Sequence, residues 1–196
     1  MLLLFCFLLF LKPLYTSAQA DPQWDDTRSQ NWPEQFKEVE IPSSADGKVQ
    51  KAFFYASQSE EAQPLVVSLH TWSGDYTQKD PLVAQILAND WNYIHPDFRG
   101  PNYTSEACGS PLVVSDIDDA IDFALENANV DARNIHIIGV SGGGYATLLS
   151  WMQSRHNART FSAWAAIADI RQWYHETKAR GLKYAQHIAL ATTGDS

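Results

Sequence analysis

Cysteine is scarce in this chain of 196 residues, which has only Cys6 and Cys108. Cys6 sits in the apolar run from Leu2 to Leu11, followed by Lys12-Pro13 and then small and polar residues as far as Ala18-Gln19-Ala20. The run is about ten residues long and a bilayer span needs about twenty, so residues 1–20 read as a secretory signal peptide cleaved after Ala20. No lysine or arginine precedes the run, and an uncleaved anchor or a misplaced start codon stays open as the alternative. Cleavage would leave Cys108 alone. That excludes an internal disulfide, so the exported domain has to be held by its core, as in a secreted or periplasmic bacterial enzyme rather than a small cysteine-stapled module. Cys108 lies beside Gly109 in a loop with no base adjacent in sequence, and reads as a buried thiol rather than a nucleophile.

Basic side chains are few: 14 Lys and Arg stand against 23 Asp and Glu, a net charge of −9 that moves to about −10 when Lys12 leaves with the leader. Nucleic acid and anionic membrane surfaces are thereby excluded as natural partners. There is no His-x-x-x-His pair, cysteine cluster or phosphate-cradling glycine loop, so neither a metal nor a cofactor is expected. Internal repeats and low-complexity tracts are also missing. About 175 residues remain after cleavage, enough for one domain with its own core.

What is present begins with residues 21–35, polar and carrying Trp24 and Trp32, which read as an extended arm. The rest, 36–196, reads as one α/β domain. Phe36 to Ile41 and Lys48 to Tyr55 flank the turn signal Asp46-Gly47 and predict an antiparallel hairpin. Leu65-Val66-Val67-Ser68-Leu69-His70 is nearly continuously apolar, as in a strand buried on both faces. A helix from Pro81 to Trp91, a strand over 92–96 and a helix from Pro111 to Ala128 follow. In that last helix Val113, Ile117, Ala120, Ile121, Ala124 and Leu125 share a face, and Asp116, Asp118, Asp119 and Asp122 are expected to form a solvated opposite face. After a strand over 135–140 come a helix to about Arg155 and an apolar run from Phe161 to Ala168. This alternation predicts a mostly parallel sheet with helices on both faces. Active sites in such sheets lie at the carboxyl ends of the strands, where His70 to Gly74, the Asp97 loop, Ser141 and Asp169 fall.

The central motif is Gly139-Val140-Ser141-Gly142-Gly143. An apolar strand enters it and a small-residue helix leaves it, the setting of a nucleophile elbow. Glycines on either side allow the tight strand-to-helix turn. The free N–H groups at the helix start point where Ser141 would work, with Gly142 N–H placed to bind an oxyanion. The chemistry implied is acyl transfer through a serine.

Together with His70-Thr71-Trp72-Ser73-Gly74, Asp97-Phe98-Arg99-Gly100-Pro101-Asn102 and Ala107-Cys108-Gly109-Ser110, this motif resembles the α/β-hydrolase fold. Within that fold it is similar to the prolyl-oligopeptidase-type serine hydrolases, peptidase family S9, over most of 65–169. The resemblance implies Ser141 as nucleophile and Trp72, two residues after the strand-end His70, as the second oxyanion N–H donor. Similar enzymes more often carry glycine where this chain has Thr71. Trp72 and Tyr145 are candidates to line the acyl pocket, and His70 reads as a structural loop residue. The implied substrate is a peptide, with a carboxylesterase acting on acylated saccharides or small esters as the alternative, and a non-catalytic module as a third reading.

The departure is in the later part of the chain. The family's triad runs Ser, acid, His, with the acid and base on loops after two further strands, and nothing after Asp169 reads that way. Asp169 is a candidate acid placed early. His175 and His187 are expected on helices that cover the site, and the base is expected beyond Ser196, in a catalytic domain that is here partial.

Overall fold

The computed structural model describes residues 31–194. The expected signal peptide, residues 1–20, and residues 21–30 of the expected arm lie outside them. The elements run β1 (Lys37–Pro42), β2 (Val49–Tyr55), β3 (Gln63–Leu69), α1 (Val83–Asn89), β4 (Asn92–Pro96), α2 (Pro111–Asn127), β5 (Val130–Val140), α3 (Gly142–Gln153), β6 (Thr160–Trp164), α4 (Ile170–Ala179) and α5 (Tyr184–Thr193).

The strands form one sheet in the order β1-β2-β4-β3-β5-β6. The hairpin β1-β2 is antiparallel and β2 runs antiparallel to β4, while β4, β3, β5 and β6 are mutually parallel. The expected mostly parallel sheet with an edge hairpin is the one observed.

Alternate residues of each strand feed two cores, as the two-residue pleat requires. Ala52, Phe54, Leu65, Val67, Ile135 and Ile137 pack on one face against Val113, Ile117 and Ile121 of α2 and Ala146 of α3. Tyr55, Val66 and Tyr93 pack on the other against Val83 and Ile86 of α1. Helices therefore cover both faces. The described end of the arm lies on the α1 side, where Trp32 stacks on Phe53 at 4.4 Å between ring centroids and donates its indole N–H to Thr77 O at 3.1 Å.

One expectation is corrected. Asp116, Asp118 and Asp119 are buried, not solvated. Arg99 Nε donates to Asp116 Oδ2 at 2.5 Å, and its Nη1 to Asp46 Oδ2 at 2.8 Å. Arg155 reaches Asp119 Oδ1 at 2.9 Å and pairs with Asp122, and its backbone N–H donates to Asp118 Oδ2 at 3.0 Å. Helical periodicity shows which residues share a face. It carries no information about two arginines brought to that face from distant loops.

The strand read over 161–168 is also shorter than its apolar run. It stops at Trp164 because Ala165 takes the left-handed region at φ 44°, which a pleated strand does not admit.

Candidate active site

Ser141 sits between the end of β5 and the start of α3 with φ 55° and ψ −114°. A non-glycine residue there is strained, and the strain persists only because its surroundings impose it. Those surroundings are explicit. Ser141 N–H donates to Trp164 O at 2.9 Å, and Tyr145 N–H returns to Ser141 O at 3.0 Å. A β-carbon on Gly143 would lie 2.1 Å from Leu69 O, and one on Gly142 would lie 2.3 Å from the backbone nitrogen of Trp72. The turn is thus pressed onto the end of β3 so closely that only hydrogen fits. Gly142 is the first residue of α3, and the first N–H groups of a helix have no acceptor within it. The Trp72 backbone nitrogen is accordingly packed against Gly142, the residue that follows Ser141.

The loop that presents Trp72 is locked from several directions. His70 is buried, stacked on Phe98 at 3.9 Å, with ring nitrogens 2.9 Å from Thr71 O and 2.7 Å from Asp97 O. Both nitrogens serve the loop, in keeping with the reading of His70 as structural. Thr71 N–H donates to Gln78 Oε1 at 2.8 Å. Thr71 is absent from the positive-φ residues, so its β-branched side chain is tolerated where a glycine is more usual. Asn102 donates its backbone N–H to Trp72 O at 2.9 Å and accepts Cys108 N–H on Oδ1 at 2.9 Å. It ties the 97–110 loop to the Trp72 peptide. The sequence marks Asn102 only as part of its loop and marks Gln78 not at all, because an amide side chain gives no periodic signal of the distant peptide it holds.

Aromatic side chains build a wall over this edge. Trp72, Ile167 and Ile188 are buried together, flanked by Tyr145, Cys108, Trp173 and Tyr184. The Trp72 indole N–H donates to His187 Nδ1 at 3.2 Å, which places α5 over the Trp72 loop. Burial, reinforced by Lys183, lowers the His187 pKa, consistent with a neutral ring accepting at Nδ1. His175 is exposed on α4. Asp169 is exposed and caps α4, its carboxylate accepting Gln172 N–H at 2.9 Å. Among the described residues it makes no hydrogen bond to a histidine. The structure thus brings Ser141, Gly142 and Trp72 together and gives Asp169 a capping task.

Burial pushes the Cys108 thiol up to about 11, so little thiolate exists at neutral pH. In a Cys6→Ser variant, iodoacetamide should modify Cys108 at pH 7.5 about three hundredfold more slowly than a free cysteine, whose pKa is about 8.5. Modification at the free-thiol rate, followed by mass spectrometry, would show the site to be more open than described. Among the described residues no group of three or more His, Cys, Asp or Glu side chains is arranged to hold a metal.

Neither a family model nor a curated relative matches the sequence. Solved structures do match in shape. The chain is similar to an acylaminoacyl peptidase from Pyrococcus horikoshii, with a TM-score of 0.59, 16% identity, and 73% of this chain against 25% of that one. A puromycin-hydrolysing peptidase from Mycobacterium tuberculosis gives 0.58, 15% identity, and 80% of this chain against 26% of that one. An S-formylglutathione hydrolase from Staphylococcus aureus gives 0.61, 14% identity, and 81% of this chain against 67% of that one. The chain therefore spans about a quarter of the length of the two peptidases. With its strand order, its strained serine turn and these likenesses in shape, the chain has the α/β-hydrolase fold.

Proposed function

We propose that this chain carries the nucleophile and oxyanion hole of a secreted serine hydrolase, of the peptidase kind typified by prolyl oligopeptidases. The observation that carries the reading is the strained Ser141 turn with the Trp72 amide held against Gly142. Ser141 Oγ attacks the substrate carbonyl carbon and gives its proton to a base. The carbonyl oxygen, now an anion, accepts hydrogen bonds from Trp72 N–H and Gly142 N–H. The tetrahedral species collapses to an acyl-enzyme as the leaving amine takes the proton back, and water completes the cycle. The base and acid come from polypeptide outside the described residues, since His70 is engaged in its loop and Asp169 in its cap.

A panel of aminoacyl p-nitroanilides and p-nitrophenyl esters, assayed on a polypeptide extended past Ser196, tests this reading. The expected result is higher kcat/KM on amides whose acyl group is a peptide, with all turnover lost in Ser141→Ala. Preference for short acyl esters would make the protein a carboxylesterase, and turnover that survives Ser141→Ala would reject the nucleophile. Addition of EDTA should leave the rates unchanged.

A further inference from the structure

On the α1 side of the sheet, beneath the ends of β3 and β5, lies a cavity of about 230 Å³ that the catalytic reading does not use. Its walls are largely hydrocarbon: Leu82, Ile138 and Val140, with exposed Pro81 and Trp164 at its border. Its polar lining comprises Ser68, Asp80 and His95 together with His70, Thr71, Gln78 and Lys79. Ser68 is committed, donating to Asp80 Oδ2, and Asp80 Oδ1 accepts Leu82 N–H at 2.6 Å.

His95 is different. It lies on β4, where the pairing of Val67 with Ile94 sets it beside Ser68. Its side chain is 1% exposed, and among the described residues neither ring nitrogen has a hydrogen-bond partner. The carbonyl groups of Ser68 and Asp75 are near enough to favour a proton on the ring, but neither closes a bond of ordinary geometry. Buried side-chain polar atoms in native proteins are satisfied in the large majority of cases, because each unsatisfied one costs about 1–3 kcal/mol. An imidazole without a partner, lining a cavity of this size, therefore points to something that enters the cavity.

We propose that this cavity binds a small neutral molecule with a hydrocarbon body and one hydroxyl, such as an alkylphenol or an alcohol, whose hydroxyl pairs with His95. The class follows from the walls. A charged ligand would lose its hydration against Leu82, Ile138 and Val140. A pure hydrocarbon would leave His95 unsatisfied. Burial pulls the His95 pKa down to about 3, so at neutral pH the ring offers one donor and one acceptor, the complement of a hydroxyl. The site is distinct from the Ser141 cleft in its ligand, although Thr71 and Gly139 contribute to both, and it does not depend on Ser141 being a nucleophile.

The test is calorimetric titration of the full chain with 4-propylphenol and with 4-propyltoluene, alongside imidazole NMR in which the His95 signals are assigned by their loss in His95→Phe. The expected result is one-to-one binding of the phenol, about three- to tenfold tighter than the toluene, as one neutral hydrogen bond supplies. The phenol should shift the His95 signals, His95→Phe should abolish the preference, and Ile138→Trp should weaken both ligands at least tenfold by filling the space. Equal affinity for the two ligands, unshifted His95 signals, or undiminished binding to Ile138→Trp would overturn the proposal. Should circular dichroism show Ile138→Trp unfolded, the His95 signals of the unmodified protein decide alone. Catalysis enters none of these readouts, so their failure leaves the Ser141 reading intact.

Discussion

Arg99→Met should destabilise the fold by about 3–5 kcal/mol in urea unfolding, a large part of what holds a domain of this size together. The Arg99 side chain is only 2% exposed and that of Asp116 is not exposed at all. The guanidinium also donates to Ser43 Oγ at 2.9 Å and to Asp46, joining the β1-β2 turn, the 97–110 loop and α2. Without it Asp116 keeps a buried carboxyl beside Asp119 with no cation to offset it. Burial already raises the Asp116 pKa even with Arg99 in place. The double variant Arg99→Met with Asp116→Leu should recover most of the loss, because replacing a buried pair whole removes the desolvation cost of both members. A double variant as unstable as the single would mean that the charge pair is not the cause. Acid titration offers a second check. Asp46, held down to about 2 by its hydrogen bond from Arg99, contributes stability that is present above its ordinary 3.8 and lost as pH falls through about 2. That acid-sensitive step should shrink in Arg99→Met, leaving the smaller contribution of Lys48.

Gly143→Ala should cost about 3 kcal/mol or more and remove the reactivity of Ser141, although it adds a single methyl. The new β-carbon would stand 2.1 Å from Leu69 O and 2.7 Å from His70 O. Both are backbone atoms at the end of the central strand β3, and neither can swing aside as a flexible side chain would. Overpacking of this kind is relieved only by backbone movement, which here separates Gly142 from the Trp72 amide. Gly47→Ala is the informative comparison. It has a left-handed φ of 76° with nothing within 4 Å of the added carbon, so only backbone strain of about 1–2 kcal/mol is expected there, and Ser141 should be unaffected. Unfolding curves and active-site labelling of the two variants separate steric collapse of the elbow from loss of glycine's freedom.

Much of this architecture is legible from local pattern. The run Leu65 to Leu69 announces a strand buried on both faces, and Gly139 to Gly143 announces the elbow, because period and glycine placement are local properties. The Gly142 and Trp72 pair needed the resemblance to known hydrolases, since the residues themselves are 70 apart in sequence. The burial of the acidic face of α2 is not legible for the same physical reason: the neutralising groups, Arg99 and Arg155, arrive from outside the helix. Asn102, Gln78 and the His187 contact to the Trp72 indole depend on tertiary placement that no periodicity encodes. Asp169 shows what the sequence leaves open: Asp is a favoured N-cap, and its carboxylate accepts Gln172 N–H as the cap of α4.

The central claim is that Ser141 is a nucleophile beside an oxyanion hole, and fluorophosphonate labelling read by peptide mass spectrometry tests it most directly. Applied to a polypeptide extended past Ser196, the probe should modify Ser141 and no other serine, and Ser141→Ala should abolish the adduct. With the base placed outside the described residues, as proposed, the 196-residue chain should label far more slowly, since serine-protease variants without their histidine lose on the order of 10⁶ in kcat. An adduct that persists in Ser141→Ala would contradict the account outright. Rapid labelling of the 196-residue chain that disappears in His187→Ala would contradict the placement of the base and put it on α5.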